Sequence, residues 1–488
     1  MNSPLQKSWG ALVISFAALA VAAQWAVKTS ALSAMTQSSN AREEKSRFIS
    51  FQEAAPVLNS LAALLPEDLV HIVAAGDQAR WDKYVRAKDA ETRQRLRAGD
   101  MDTLANLLLF GASFTSAAVL TPDLLKQIHG APVQANPIDA GSRALLQRFD
   151  DLTSGLAHPG TNERLNYFHN LLAGQYHFGT PQELLAVKQF LAANLLRMLR
   201  EDESYAAALR EAHNLQEAGF EKRSQVFSQR GISLDTALFP NYSLEQALIQ
   251  ARKQGVFHGQ VTNVGVIGPG LDIVNKDEGL DYYPEQTIQP FLLADTLVRL
   301  GFADPDRLEV TTFDVSELVN HHLSTARERA VKGSGYIVQL PIRSDIAWTA
   351  EALAYWERAG SAIGRSTPAL KSHAKVPLKY RAVKFAPRQV LHVHPLDLDV
   401  IYQRKLSPER EKMELIIATN MFVYYGSFEQ ALAMSNIASM LSKGGILLTN
   451  DALPNGPTLA LRPAGSTDTS YSSRPHDGDR VLWYQLAK

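Results

Sequence analysis

The stretch MELIIATNMFVYYGSFEQALAMSNIASMLSKGGILLTND, residues 413–451, contains two apolar runs with an amphipathic segment between them. MELIIATNMFVYY and GILLTND are short and rich in branched and aromatic residues, which is typical of buried strands. SFEQALAMSNIASMLSKGG has apolar residues at helical spacing. A strand, a helix and a strand in this order predict a parallel βαβ unit.

The same alternation covers the chain on both sides of this unit, from Gly255 to the carboxyl end. VTNVGVIGPG and RLEVTTFDVS are predicted strands, PEQTIQPFLLADTLVRLG is a predicted helix that begins at Pro284, and SSRPHDGDRVLWYQLAK is a predicted antiparallel hairpin that turns at Asp477-Gly478. Residues 260–488 are therefore predicted to form a Rossmann-like α/β domain, with a doubly wound sheet and helices on both faces.

Residues 45–255 have a different pattern, with one predicted helix after another. TPQELLAVKQFLAANLLRMLRED, from Thr180, repeats Leu and Ala at spacings of three and four. In SLEQALIQARKQG, Ser243 and Gln246 match a capping box, and Gly255 suits the left-handed position after a helix. The sequence thus predicts an all-α domain before the α/β domain.

Residues 1–30 form a predicted signal peptide or membrane anchor, and the sequence leaves both alternatives open. SWGALVISFAALAVAAQWAV is uncharged between Lys7 and Lys28, which is long enough to cross a hydrocarbon layer of roughly 30 Å. Ala20-Val21-Ala22 matches a signal-peptidase site. Membrane association through this segment is therefore expected. Basic residues after the segment favour a cytoplasmic body, whereas cleavage would indicate export.

The composition excludes several classes of protein. The 488 residues have a formal net charge of -1, so nothing indicates a nucleic-acid partner. The absence of cysteine excludes disulfides, thiolate zinc sites, iron–sulfur clusters and a thiol nucleophile.

The loop in NVGVIGPGLD follows the first predicted strand of the α/β domain. Gly268 and Gly270 permit close approach of backbone amides to a ligand. A dinucleotide fingerprint needs glycine or alanine where Ile273 stands, and a P-loop needs Gly-Lys-Ser/Thr, so both phosphate-binding alternatives are disfavoured. The chain has no Gly-x-Ser-x-Gly motif, which disfavours the serine hydrolases of this architecture.

Polar residues follow several later strands in chain order. LEVTTFD ends in Asp314, HVHPLDLDV places Asp397 and Asp399 near a strand end, and ELIIATN ends in Asn420. Ligands of doubly wound sheets bind at the carboxyl ends of the strands. With the glycine loop and residues 413–451, this layout resembles the class I S-adenosylmethionine-dependent methyltransferases over residues 262–488, and ATNMFVYY is similar to the chemotaxis-receptor methyltransferase group. The terminal hairpin fits the antiparallel last strand of that fold.

The resemblance implies S-adenosylmethionine as cofactor and a loop, Gly268-Pro269-Gly270, that wraps its methionine part. The chain departs from the family at two positions of this loop. Val266 stands where the family has an acidic residue, and Asp272 stands where it has a third glycine. The resemblance makes Asp272 a candidate ligand of the cofactor's ammonium group.

The resemblance also assigns residues at the later strand ends. Asp314 would bind the ribose, and Asp397, with Asp399 as its rival, would lie near the adenine. Asn420 and Tyr424 would line the place where methyl donor and acceptor meet. The implied function is methyl transfer to an unidentified acceptor. The alternative is a catalytically inactive scaffold of the same fold at the cell envelope.

Histidines give no predicted metal site. His392 and His394 lie on one face of a strand with no further ligand evident from the sequence. His169 and His177 suit a helical core or its rim. An active methyltransferase is expected at the cytoplasmic face of the membrane, and a protein with a cleaved signal peptide is expected outside.

Overall fold

The computed structural model of the chain describes residues 46–62, 65, 67–118, 120, 140–213, 231–233, 238–271, 274–275, 280–281, 285–342, 348–369, 379–454, 459–474 and 477–486. The hydrophobic amino-terminal segment and Asp272 lie outside these residues, so what the sequence predicts for them remains a prediction. Within the described part of the chain, no helix is both long and apolar enough to cross a bilayer.

Strands and helices follow one another in the expected order. The strands are β1 (Ser46–Phe48), β2 (Asn263–Ile267), β3 (Val274–Asn275), β4 (Leu280–Asp281), β5 (Glu309–Asp314), β6 (Tyr336–Ile342), β7 (Gly364–Thr367), β8 (Lys379–Phe385), β9 (Val393–Asp397), β10 (Gln403–Lys405), β11 (Met413–Ala418), β12 (Leu441–Thr449), β13 (Leu461–Ser470) and β14 (Gly478–Leu486). The α-helices are α1 (Phe51–Ser60), α2 (Glu67–Ala75), α3 (Gln78–Phe110), α4 (Ala140–Ala157), α5 (Glu163–Leu172), α6 (Pro181–His213), α7 (Pro240–Lys253), α8 (Gln289–Arg299), α9 (Glu317–Val331), α10 (Ala350–Arg358), α11 (Pro387–Leu391) and α12 (Ser427–Met440).

Seven strands form the main sheet in the order β13-β14-β12-β11-β2-β5-β9. The five strands from β12 to β9 are parallel, and β14 is antiparallel to β12. The sequence continues outward from β2 in one direction through β5 and β9, and in the other through β11 and β12. This sheet confirms the predicted Rossmann-like architecture with an antiparallel last strand. It places the reversal of strand order between β2 and β11, where such folds bind ligands.

The strand at Tyr336–Ile342, β6, lies outside the main sheet. It pairs antiparallel with β8, and β8 pairs with β7 in a separate three-stranded sheet. Alternation in the sequence identifies this strand but not its partners, because pairing depends on contacts between distant residues.

The amino-terminal half is helical but not entirely so. Strand β1 pairs antiparallel with β10, with Ser46 opposite Lys405, so the predicted all-α domain contains one short strand. Three residues are too few to give a strand pattern in the sequence. The larger hydrophobic core continues from Leu104 and Leu248 in the helices to Val264 in the sheet. The domain boundaries at 45–255 and 260–488 remain predictions.

Three local predictions require correction. Helix α7 begins at Pro240, not at a Ser243 cap, because proline suits the first helical turn and starts the helix earlier. Helix α8 begins at Gln289 rather than Pro284, because Gln286 exchanges hydrogen bonds with the backbone of Gln339 and keeps residues 285–288 non-helical. An antiparallel hairpin is present, but its first arm is β13, which lies before the predicted stretch, and its connection is longer than predicted.

That connection precedes Gly478, which already belongs to β14 and pairs with Ser470. The predicted end of α7 is correct, since Gly255 has a φ of 70° in the left-handed region that glycine favours.

Candidate functional site

A cavity lies at the carboxyl ends of the parallel strands, at the reversal of strand order. Its empty volume is about 960 Å³, open space at the mouth included. Its lining comes from the strand ends, from helix α3 and from segments near helices α7 and α8. The lining residues are Leu96, Ile232, Ser233, Asn241, Ile267, Gly268, Gly270, Gln289, Phe313, Asp314, Val315, Leu398, Asp399, Val400, Thr419, Asn420, Met421, Tyr424 and Tyr425.

The glycine loop after β2 forms one wall of the cavity. Gly268 and Gly270 have φ values of 62° and 61°, which few side-chain-bearing residues adopt. The backbone N–H of Gly268 donates to the carbonyl oxygen of Phe313 (2.9 Å), and the hydroxyl of Thr287 donates to the carbonyl oxygen of Gly270 (3.0 Å). Pro269 lies between the glycines and is not a lining residue. The loop is thus fixed by its neighbours, with both glycines at the cavity.

Asp314 ends β5 beside this loop and is buried. Its Oδ1 accepts a hydrogen bond from the backbone N–H of Ser316 (2.8 Å). Burial raises the pKa of Asp314 to about 6, although backbone N–H groups of Ser316, Gly270 and Val315 favour the ionised form. At neutral pH the carboxylate is therefore mostly ionised. The backbone N–H of Gly270, in the glycine loop, helps to orient this carboxylate at the cavity wall.

Asp397 and Asp399 lie in different surroundings. Asp397 forms an ion pair with Arg93, with 2.8 Å between Oδ1 and Nη2, and is not a lining residue. Asp399 lines the cavity and is only 2% exposed. Its Oδ1 accepts from the backbone N–H of Ile401 (2.9 Å), and its Oδ2 is buried without a hydrogen-bond partner. Of the two rivals, Asp399 is therefore the one that lies at the cavity.

Burial is the main cause that raises the pKa of Asp399, to about 7, and the negative charge of Asp89 adds to it. The nearby hydroxyl of Thr92 donates to the carbonyl oxygen of Lys88 (3.1 Å). An acceptor oxygen buried at a cavity wall carries a desolvation cost that a ligand donor would remove. This unsatisfied oxygen points to a ligand with an N–H or O–H group.

Asn420 and Tyr424 follow β11, the strand next to β2, and line the cavity. Among the described residues, Asn420 is the one non-glycine residue with positive φ, at 57°. Its N–H donates to Oδ1 of Asn450 (2.7 Å), and Nδ2 of Asn450 donates to Oδ1 of Asn420 (2.5 Å). Asparagine tolerates this conformation better than most residues, and such strain is often found at functional sites. The pair of hydrogen bonds holds the Asn420 amide in place.

Helix α3 covers the cavity from the amino-terminal half. The sequence suggests that the helical domain could cover the site but does not indicate this particular helix. Arg93 donates to the carbonyl oxygen of Val315 (3.2 Å) as well as to Asp397. Arg95 donates to the carbonyl oxygen of Tyr424 (2.9 Å), and Leu96 lines the cavity. The charge-rich sequence of α3 does not indicate that it covers the cavity, because the residues that Arg93 and Arg95 contact lie 222 to 329 positions away.

The segment that contains Ile232 crosses helix α3 in close contact with Gly99. A Cβ atom on Gly99 would lie 1.7 Å from the carbonyl oxygen of Ile232, and the N–H of Ile232 donates to the carbonyl oxygen of Arg95 (3.1 Å). Ile232 is itself a lining residue. Gly99 therefore permits a contact that completes the cavity wall.

The histidines have ordinary partners. His169 Nδ1 lies 2.7 Å from the carbonyl oxygen of Leu156, and its ring stacks on Phe178, in keeping with a place at a helix rim. His392 and His394 do have a further neighbour, which corrects the expectation from sequence. Both lie within hydrogen-bond distance of Glu309 on β5, at 2.8 and 2.6 Å.

Comparisons with known proteins give similarity in structure alone. No family model matches the sequence, and no curated protein matches it. The structure is similar to the N-methyltransferase NodS from Bradyrhizobium japonicum WM9, at 11% identity over 51% of this chain and 97% of that one, with a TM-score of 0.25. It is also similar to the magnesium protoporphyrin IX methyltransferase ChlM from Synechocystis PCC 6803, at 11% identity over 55% and 84%, with a TM-score of 0.24.

A third similar structure is CalO1, a methyltransferase in calicheamicin biosynthesis, at 11% identity over 84% of this chain and 98% of that one, with a TM-score of 0.24. At these identities and TM-scores the likeness has no weight for function. Strand order and cavity together define the class: an α/β protein with a cavity at the reversal point of a doubly wound sheet.

Proposed function

We propose that the protein binds S-adenosylmethionine in this cavity and transfers its methyl group to an acceptor. The observation that carries the proposal is that Gly268, Gly270, Asp314 and Asp399 all meet around one cavity at the reversal of strand order. These residues come from the ends of three parallel strands or directly follow them, in the chain order that the resemblance implies.

The lining groups fit the parts of that cofactor. The Asp314 carboxylate can accept hydrogen bonds from both ribose hydroxyls, since each carboxylate oxygen has two acceptor sites. Oδ2 of Asp399, buried without a hydrogen-bond partner, can accept from the exocyclic amine of adenine. The left-handed glycines let the backbone approach the methionine part closely. In this assignment Asp399, rather than Asp397, binds the adenine.

The reaction needs positioning rather than acid–base catalysis. Held by Gly268, Gly270, Asp314 and Asp399, the cofactor would supply a methyl group on a positively charged sulfur. A lone pair of the acceptor would form the new bond to that carbon, and the electrons of the broken S–C bond would stay on sulfur. Asn420 and Tyr424 orient the acceptor at this place, and an acceptor N–H or O–H releases its proton to solvent. Leu96 and Tyr425 exclude water. Alignment of this kind can lower a barrier by several kcal/mol.

The acceptor and the location are parts of the same proposal. The similarity of ATNMFVYY, residues 418–425, to the chemotaxis-receptor methyltransferase group favours an acceptor of the kind that this group modifies. A cytosolic cofactor places the body of the protein on the cytoplasmic side, with residues 1–30 as an uncleaved anchor. Methylation of a membrane-bound acceptor would suit this arrangement.

Calorimetric titration of the purified protein with S-adenosylmethionine and S-adenosylhomocysteine tests the proposal. One molecule bound per chain is expected for each. Absence of heat from a protein with a cooperative thermal transition would contradict it, and would favour a scaffold that keeps the fold without the cofactor.

A further inference from the structure

A group of three metal-ligand side chains lies where helix α5 meets the sheet half of the molecule. Glu163 is the first residue of α5, Glu285 lies shortly before α8, and His322 lies on α9. One ligand atom from each residue lies within 4.8 Å of the others. None of the three lines the cofactor cavity. Three separate segments thus bring an imidazole and two carboxylates together at a second place.

We propose that Glu163, Glu285 and His322 bind a divalent transition-metal ion, with Zn²⁺ as the preferred occupant. One nitrogen and two carboxylate oxygens suit zinc, which accepts His and Glu ligands, whereas calcium needs six to eight oxygens. Three protein ligands leave a fourth position for water. The site goes beyond the proposed methyl transfer and does not depend on it.

Neighbouring residues fix the orientation of the imidazole. His322 Nε2 lies 2.9 Å from Oη of Tyr336, and this oxygen accepts a hydrogen bond from the backbone N–H of Thr287 (2.8 Å). The Tyr336 ring stacks on Phe291, with 4.9 Å between ring centroids. A hydrogen-bond partner on the second ring nitrogen is the usual support of a metal-bound histidine. With Nε2 engaged, Nδ1 is the nitrogen that remains for a metal.

The metal would influence the glycine loop through a short series of hydrogen bonds. Glu285 is two residues from Thr287. The backbone N–H of Thr287 donates a hydrogen bond to Oη of Tyr336, and its hydroxyl donates one to the carbonyl oxygen of Gly270. A metal that fixes residues 285–287 would thus stabilise the support of the glycine loop. It would also link helix α5, through Glu163, to helix α9, through His322.

The test is calorimetric titration of the full-length protein with Zn²⁺ after treatment with a chelator, in the absence of S-adenosylmethionine. Absorption of Co²⁺ bound in place of Zn²⁺ provides a second readout. We expect one Zn²⁺ per chain and at least ~10-fold weaker binding in Glu163→Gln and in His322→Gln, since loss of a ligand exceeds the usual effect of its supporting groups. Glu163 is exposed, so Glu163→Gln should fold normally.

The matched control is His394→Gln, because His394 also contacts a glutamate but lies outside the proposed metal site. His394 lies within hydrogen-bond distance of one carboxylate oxygen of Glu309, and His392 of the other. This variant should bind Zn²⁺ as the unaltered protein does. The proposal is overturned if the unaltered protein binds no Zn²⁺, if Glu163→Gln binds it equally well, or if His394→Gln is the variant that loses it. Titration with S-adenosylhomocysteine is a separate experiment, so either proposal can fail without the other.

Discussion

The two walls of the cavity differ in how they are built. The wall of Gly268, Gly270 and Asp314 consists of residues that end or closely follow adjacent parallel strands, β2 and β5. The opposite cover consists of helix α3, which reaches the strand ends through Arg93 and Arg95, 304 positions from Asp397 and 329 from Tyr424. The first wall follows from local sequence, whereas the second depends on tertiary packing. In the proposed function, the strand-end wall therefore recognises the ligand, and helix α3 closes the site.

The largest expected effect concerns the strand-end wall. Asp314→Ala removes the carboxylate that we assign to the ribose hydroxyls. Loss of hydrogen bonds to a charged group should weaken S-adenosylhomocysteine binding by at least ~100-fold, about 2.7 kcal/mol. Calorimetry measures the change, and a thermal melt checks that the variant is folded. Undiminished binding by a folded variant would remove Asp314 from the site.

The second prediction concerns the cover. Gly99→Ala places a Cβ against the carbonyl oxygen of Ile232, so the crossing chain must move. We expect the free energy of unfolding to fall by about 1–3 kcal/mol, as in other overpacked sites. Urea denaturation measures it. The control is Gly174→Ala, where a Cβ has no atom within 4 Å and the change should stay below about 0.5 kcal/mol.

A third prediction separates the two aspartates after β9. Asp399→Ala should weaken S-adenosylhomocysteine binding about tenfold, or 1.4 kcal/mol, because it removes the buried acceptor at the cavity. Asp397→Ala should leave that affinity within about twofold and lower the melting temperature instead, because it removes one of the two ion-pair partners of Arg93, the other being Asp89. The reverse pattern, with binding lost only in Asp397→Ala, would restore Asp397 as the adenine residue.

The smallest expected effect is that of pH. The ionised form of Asp399 accepts the adenine amine, and its pKa is about 7, so S-adenosylhomocysteine should bind more tightly as pH rises from 6 to 8. The gain from Asp399 alone should be roughly fivefold, and Asp314, whose pKa is about 6, should add about a factor of two at the lower end. In Asp399→Ala the dependence above pH 7 should vanish. Calorimetry at several pH values, with buffers of different ionisation enthalpy, measures it.

The same contrast explains how much the sequence could predict. Alternation of strands and helices identified the main sheet, its antiparallel last strand and polar residues at the strand ends, because these follow from periodicity and from the direction of parallel strands. The sequence could not choose between Asp397 and Asp399, since the choice depends on Arg93 of a distant helix. It also gave no sign of Glu309 beside His392, because the pairing of β5 with β9 decides that contact.

The most direct test of the cofactor site is a crystal structure of the protein with S-adenosylhomocysteine. We expect ribose hydroxyls on the Asp314 carboxylate, the adenine amine on Oδ2 of Asp399 and the methionine part along Gly268 and Gly270, under helix α3. Well-defined S-adenosylhomocysteine elsewhere on the molecule, with this cavity filled by water, would contradict it.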